Sequence, residues 1–507
     1  MSADSAPPAA PKNAVVILLD SLNRHMLGCY GGGEFDTPNL DRFARRALRF
    51  DRHYTGSLPC IPARHDLLCG TLDFLWRPWG SMEIWERSLP SYVQEAGATT
   101  MLVTDHTHLF ETGGENYHTD FKAWDYQRGH ETDPWKSRPD PSWIGCPSFG
   151  REHMPYDNSR GYFKNEADFP GPRTMASAAK WIDENAGHHD RFLLVVDEFD
   201  PHEPFDTPEP YASMYDPDWE GPHLIWPPYS PRASQEKILT PRQARQIRSC
   251  YGAKLTMIDA WLGRLLDSLE RNGCHDDTAV IITTDHGHYL GEKDAWGKPP
   301  VPVYETLGHI PLLVSWPGVA AGNVSALTTT VDLFATVMGI FGAQPVYRTH
   351  GRSLVPLIRG EVTSVRDCLL TGVWGREVQI VCEEFKYSRA PSGANVPLSM
   401  WSNRWSTMPI PRWPWLRLPV PDERAQLVRM PGTNVPVIRQ PFKEGDFLPY
   451  WAAGNFTGNH LYRVLEDPGE QHDLAGSPLE TLAAERLREA LVEIEAPDDQ
   501  LARLGLA

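Results

Sequence analysis

Four short apolar runs in this chain lead into the same kinds of residue. Ala14-Val-Val-Ile-Leu-Leu19 is followed by Asp20, and Thr100-Met-Leu-Val103 by Asp105, His106 and His108. Phe192 to Val196 is followed by Asp197, Asp200 and His202, and Thr278 to Thr284 by Asp285, His286 and His288. Taken singly, an Asp after a strand is a turn residue or a helix N-cap. Four strand ends that all deliver carboxylate or imidazole are a different matter, because ligands of open parallel sheets bind beyond the carboxyl ends of the strands. Carboxylates with imidazole suit a divalent cation. Asp20, Asp285 and His286 are the predicted ligands. Oxygen donors alone would favour Mg²⁺ or Ca²⁺, and the imidazole moves the preference toward Mn²⁺ or a similar ion.

A second constellation is Leu58-Pro-Cys60-Ile-Pro62-Ala-Arg64. Arg64 follows Cys60 by four residues, where a tyrosine-phosphatase nucleophile loop would need six. The chain has no GxSxG elbow and no GxxxxGK[ST] phosphate loop. Taken alone, Cys60 reads as a buried structural cysteine.

The elements that must position these groups are legible from periodicity. Pro38 to Leu48 and Arg173 to Ala186 have helical spacing, and Thr240-Pro-Arg-Gln243 opens a helix to about Arg271 in the manner of a capping box. Pro311 to Ser315 reads as a further strand. Strands separated by helices imply βαβ units and a large mixed, mostly parallel sheet flanked by helices, an α/β fold. After about residue 365 the texture changes. Pro and Trp cluster between Pro397 and Pro421, with Trp401, Trp405, Trp413 and Trp415, and Ser477-Pro-Leu-Glu480 reads as a second capping box opening a terminal helix. The expected organisation is a disordered or extended tail over 1–12, a catalytic α/β domain over 13–365 and a smaller α+β domain over 366–507 with an antiparallel sheet. So many aromatics in one segment are expected at a subunit interface or along the active-site entrance, homo-oligomerisation being the preferred version.

Composition narrows the classes of function. With 48 Lys+Arg against 66 Asp+Glu the formal net charge is −18, which argues against a nucleic-acid partner. The apolar run Ala14–Leu19 is far shorter than the roughly 20 residues of a membrane span. The segment before it has no apolar leader core, so a cytoplasmic location without membrane association is expected. Eight scattered cysteines with no CxxC pair read as reduced thiols in a large core.

At Cys60-Ile-Pro-Ala-Arg64 the chain resembles the sulfatase family, part of the alkaline phosphatase superfamily, whose maturation signature is Cys-x-Pro-Ser/Ala-Arg. Further elements follow in the family's order: Asp20 closing the first strand, Leu27-Gly-Cys-Tyr30-Gly31, Thr37-Pro-Asn-Leu-Asp41, Pro201-His-Glu-Pro-Phe205, Thr284-Asp-His-Gly287, Leu290-Gly291, Gly297-Lys298, and the late Leu465-Glu-Asp-Pro-Gly-Glu470 with Asp473-Leu474. The matches run from about residue 14 to 475. The resemblance implies a metal-dependent sulfuric ester hydrolase, arylsulfatase-like, with one divalent cation (Mn²⁺ or Ca²⁺). A formylglycine-generating enzyme would oxidise Cys60 to formylglycine. In the family the hydrated aldehyde attacks sulfur, and collapse of the resulting hemiacetal releases sulfate.

Residue by residue, the resemblance makes Cys60 the nucleophile precursor and a neighbour of the metal, with Arg64 orienting it. Asp20, Asp285 and His286 hold the metal. Lys298 grips the sulfate, and His202 contacts it or protonates the leaving oxygen. His108 acts as the base of hemiacetal breakdown, and His106 touches substrate. The chain departs from the family at Ser21, where a second carboxylate is common, and at Cys69, where Thr is common. His286 stands where Asn is common, and Asp285-His286 resembles the phosphonate monoester hydrolase branch. Hydrolysis of phosphonate monoesters or phosphodiesters at the same formylglycine is therefore the first alternative. A non-catalytic binding protein of sulfatase fold is the remote one.

Overall fold

The computed structural model describes residues 10–143, 145–149, 154–408, 420–452 and 456–507. Most of the expected 1–12 tail, together with Trp413 and Trp415, lies outside them. Lys12 is already tied down, its N–H donating to the Asp277 carbonyl (2.7 Å).

Strands β1 (Asn13–Leu19), β2 (Leu48–Tyr54), β3 (Ser57–Leu58), β4 (Thr99–Thr104), β5 (Ala123–Tyr126), β6 (Phe192–Glu198) and β7 (Thr278–Thr283) precede a two-stranded hairpin, β8 (Tyr289–Leu290) with β9 (Trp296–Gly297). After them come β10 (His309–Ile310), β11 (Leu312–Ser315) and β12 (Gly322–Thr329). The main sheet has the order β10-β2-β11-β7-β1-β6-β4-β5, with β12 added alongside β2. From β7 to β5 every pairing is parallel. The run Leu312–Ser315 is a strand as expected, but it lies antiparallel to both β7 and β2, so the sheet is mixed.

β1 is buried on both faces, which is why it reads as an unbroken apolar run. Val15, Ile17 and Leu19 face a core shared with the helices Pro170–Asn185 and Pro241–Arg271. Ala14, Val16 and Leu18 face the other core, with the helices Cys60–Cys69 and Thr330–Phe341. The long helix is capped as expected: the Thr240 hydroxyl accepts from the Gln243 N–H, and Gln243 reaches back to the Thr240 N–H. No described helix is long and apolar enough to cross a membrane.

A second, five-stranded sheet is formed by β13 (Cys368–Val373), β14 (Val378–Cys382), β15 (Lys386–Arg389) and β19 (His460–Tyr462), with β3 at its edge beside β13. Gly372 pairs with Ser57 and Val373 with Leu58, so this C-terminal sheet holds the chain just ahead of Cys60. Leu487 and Leu491 of the helix Pro478–Glu493 cover it. The expected capping by Ser477 is corrected. Its hydroxyl has no partner, and Glu480 instead accepts from the Gly476 N–H (2.6 Å), Asn459 (2.7 Å) and Tyr387 (2.9 Å).

The expectation that all eight cysteines are reduced is also corrected. Cys368 and Cys382 form a disulfide, and the other six are free. The reason is register: β13 and β14 are an antiparallel hairpin that sets Cys368 directly opposite Cys382. A spacing of 14 residues does not reveal that without the hairpin.

A third sheet contains β16 (Leu398–Ser402), β17 (Gln426–Arg429) and β18 (Pro436–Phe442). It takes up the described part of the Pro/Trp-rich segment. Trp401 donates its backbone N–H to the Trp76 carbonyl (3.0 Å), and Trp405 packs against a cluster of Trp374, Leu398 and Met400.

Candidate active site

The loop Leu58-Pro59 delivers Cys60 as the first residue of the helix Cys60–Cys69, whose residues are all buried. A helix N-terminus presents unpaired N–H groups and positive potential, so negative charge developing at residue 60 is stabilised there. The helix carries Arg64 one turn on. Arg64 grips Asp197 with two nitrogens (2.9 and 2.7 Å), Asp20 at 2.9 Å and Asp285 at 2.8 Å, and also donates to the Cys60 carbonyl (3.1 Å). One guanidinium thus ties the ends of β1, β6 and the β7 loop to the helix. Burial alone would lower its pKa, but the three carboxylates raise it well above the ordinary value.

Asp20 follows β1 and Asp285 follows β7. Burial opposes the charge of Asp20, yet Arg64, Lys298 and His286 bring its pKa down to about 2. Ser21, at a positive φ of 60°, is a support for both carboxylates. Its hydroxyl donates to Asp20 (2.8 Å) and its N–H to Asp285 (3.1 Å).

The Nδ1–H of His286 donates to the Gly287 carbonyl (2.8 Å), which leaves the Nε2 lone pair facing Cys60 Sγ at 3.2 Å. Burial keeps this imidazole neutral by lowering its pKa. Gly287 permits the turn, since a Cβ there would lie 1.9 Å from the Thr306 carbonyl oxygen.

Ligand atoms of Asp20, Cys60, Asp285 and His286 all lie within 4.8 Å of one another. The buried carboxylates of Asp20 and Asp285, with an imidazole lone pair turned inward, form a donor set that fits a divalent cation. The Cys60 thiol itself is a poor nucleophile as it stands: burial and Asp20 push its pKa well above the usual thiol value.

Lys298 Nζ lies 3.4 Å from Cys60 Sγ and 2.7 Å from His202 Nε2. The Nδ1–H of His202 donates to the Glu203 carbonyl (2.7 Å), so its Nε2 accepts from Lys298. Burial would lower the Lys298 pKa, but Cys60, Tyr229, Asp20 and Asp285 together raise it, and the ammonium stays charged. Gly297 sets the approach, with φ at 71° and a Cβ position 2.3 Å from the Tyr229 ring.

The surroundings of His108 and His106 bear on the roles expected of them. His108 was expected as a base, yet its Nδ1 pairs with Glu111 and its Nε2 lies 3.2 Å from Glu131. Burial lowers its pKa, but those carboxylates outweigh it and push it up to about 10, so the ring is cationic and has no lone pair to accept a proton. His106, expected on the substrate, is fully buried with Nε2 3.4 Å from Asp20 and its ring against Phe199 at 4.2 Å. Burial and Arg64 push its pKa well below the ordinary value, so it is a neutral neighbour of Asp20. Sequence reasoning assigned no role to Asp197, the two-point partner of Arg64, although its position at the end of the third apolar run was the available signal. Glu131 and Glu203, which gather around His202, carried no signal of that kind.

A sequence model of the family described as Sulfatase matches residues 12–343. The choline-sulfatase of Rhizobium meliloti (strain 1021) is 28% identical over 384 residues, 69% of this chain and 72% of that protein. A multifunctional alkaline phosphatase superfamily protein of Trinickia caryophylli is 25% identical over 417 residues, 68% of this chain and 77% of that protein. Among solved structures, the phosphonate monoester hydrolase of Agrobacterium radiobacter aligns with a TM-score of 0.64 at 18% identity, covering 96% of this chain and 95% of that one. At that identity the likeness is one of fold.

Proposed function

The chain belongs to the sulfatase family of sulfuric ester hydrolases, and from that premise we propose that it hydrolyses sulfate esters at a formylglycine made from Cys60. The observation that carries the reading is the convergence on one thiol. Ligand atoms of Asp20, Asp285 and His286 cluster with Cys60 Sγ, and Lys298, itself in contact with His202, lies 3.4 Å from the same sulfur.

Asp20, Asp285 and His286 would hold one divalent cation, Mn²⁺ or Ca²⁺, whose bound charge lowers the pKa of an adjacent hydroxyl. Formylglycine at residue 60 would supply a hydrated aldehyde in place of the protonated thiol. The remaining work falls to the chain's own side chains. Lys298 binds the sulfate oxygens with a fixed charge in a dry site, where such charge is most effective. His202, with its Nδ1–H donated to the Glu203 carbonyl, holds the Lys298 ammonium at Nε2; once protonated at Nε2 it would contact the anion or give that proton to the departing alcohol oxygen. Arg64 keeps the three carboxylates in register. His108, held cationic between Glu111 and Glu131, adds positive charge to the surroundings of His106.

A second reading, hydrolysis of phosphonate monoesters or phosphodiesters, is favoured by His286 following Asp285 and by the likeness in fold to a phosphonate monoester hydrolase. The test is the ratio of kcat/KM for an aryl sulfate and an aryl phosphonate measured on one metal-loaded preparation. A ratio above one supports the sulfatase assignment, and a ratio well below one replaces it with the second reading.

A further inference from the structure

The site has a second half of opposite chemistry. His286 and Lys298 line a cavity of about 250 Å³. Facing them are Pro299, Pro300, Val301 and Val303 from the loop after Lys298, and Val373 and Trp451 from the C-terminal part of the chain. The loop reads Pro299-Pro-Val-Pro-Val303, and its backbone has little to offer a polar ligand. Pro299, Pro300 and Pro302 have no N–H. The Val301 N–H donates to the Pro299 carbonyl (2.8 Å), and the Pro302 carbonyl accepts from the Tyr304 N–H (2.8 Å). The Pro300 carbonyl accepts from Arg376 Nη2 (3.3 Å).

Among the described residues lining this space, Arg376 is the one charged side chain apart from the anion-binding Lys298 and the imidazole of His286. Its guanidinium is balanced by Glu377 at 3.3 Å, so Arg376 braces the proline loop. Tyr229 likewise turns its hydroxyl to Glu203 (2.6 Å).

Resting on the sulfatase reading above, we infer that this cavity receives the alcohol portion of the substrate and that the preferred substrates are sulfate esters of apolar ring alcohols, alkyl-substituted phenols above all. The anion end is fixed by Lys298 and His202, so the leaving group must extend along the proline–valine wall. A sugar alcohol would press several hydroxyls against groups that cannot hydrogen-bond them, and buried unpaired hydroxyls are costly. Each methylene of an apolar leaving group would gain from the same wall.

The test is a series of 4-alkylphenyl sulfates, from unsubstituted to propyl, in which the reactivity of the leaving oxygen is nearly constant. On enzyme with Cys60 conversion confirmed by mass, kcat/KM should rise about threefold to fourfold per methylene. It should fall when ethyl is replaced by hydroxymethyl. Calorimetric binding of 4-propylphenol against phenol should show the same increment without any chemistry. Trp451→Ala and Val301→Asp, each confirmed folded by its thermal transition, should flatten both increments. A flat or falling series on an enzyme that turns over phenyl sulfate overturns this inference and leaves the sulfatase reading intact. Failure to turn over any sulfate ester overturns the sulfatase reading and this inference with it.

Discussion

Lys298→Ala isolates the electrostatic part of the site. The ammonium lies 3.4 Å from Cys60 Sγ, whose place an oxygen takes on conversion to formylglycine, and 2.7 Å from His202 Nε2, and it is only 5% exposed. Water does not screen it there, and neighbouring carboxylates keep it charged. Its value is greatest where negative charge shifts during sulfuryl transfer, so removal should fall on kcat more than on KM. Losing one fixed donor of this kind costs about 2.7–4 kcal/mol, or roughly 10²–10³ in kcat. A solvent-exposed lysine could be removed with little effect on stability, but this one is buried among Asp20 and Asp285. Arg64 still compensates those carboxylates, so a fall of about 1–3 kcal/mol in stability is expected, short of loss of fold. Lys298→Arg should recover part of kcat, because a planar fork does not place a point charge at the same depth. The assay is steady-state turnover of an aryl sulfate, with conversion at Cys60 measured by mass for each variant. Wild-type kcat in a fully converted Lys298→Ala enzyme would refute the assignment of Lys298 to the anion.

Arg64→Met removes the counter-charge of three buried carboxylates and should lower stability by about 3–5 kcal/mol; thermal unfolding with and without a divalent cation should show partial restoration by the ion. Asp285→Asn should lose bound metal and turnover together, read by metal analysis of the purified protein and by kinetics. His108 has its folded pKa raised from 6.5 to about 10, so its contribution to stability is fully present below pH 6.5 and is lost as pH rises toward 10. The gap between wild type and His108→Gln, at most about 5 kcal/mol by 1.36 kcal/mol per pKa unit, should therefore close across that interval in denaturant titrations. Cys382→Ser opens a bridge that spans 14 residues and should cost about 3 kcal/mol on the loop-entropy scale, measured as the shift in denaturation midpoint.

The site was legible where chemistry sits at the end of a strand buried on both faces. Such strands read as apolar runs, and the first polar residue after each marks the edge of the sheet, which places Asp20 and Asp285 without further information. The same pattern located His202 and His286. It could not assign Asp197, which belongs to β6 itself and acquires its role only when the helix Cys60–Cys69 lays Arg64 across the sheet. The surroundings of His108 were only half legible, because its ring lies between Glu111, three residues on, and Glu131, 23 positions away along the chain and adjacent only in the fold. Lys298 was legible as a position; its depth was not, because the wall that buries it includes Tyr229 and the proline loop. The antiparallel course of β11 and the Cys368–Cys382 bridge are both consequences of register, which depends on which strands meet.

The central claim is that residue 60 acts as formylglycine and not as cysteine. The direct measurement is the mass of the peptide containing Cys60 in preparations made with increasing amounts of the maturation enzyme, each assayed for aryl sulfate turnover. Conversion replaces the thiol by an aldehyde and lowers the peptide mass by about 18 Da. Turnover per chain should rise in proportion to the fraction converted and extrapolate to zero for the thiol form, as expected of a buried thiol held protonated. Full turnover from protein whose Cys60 is unmodified would contradict it.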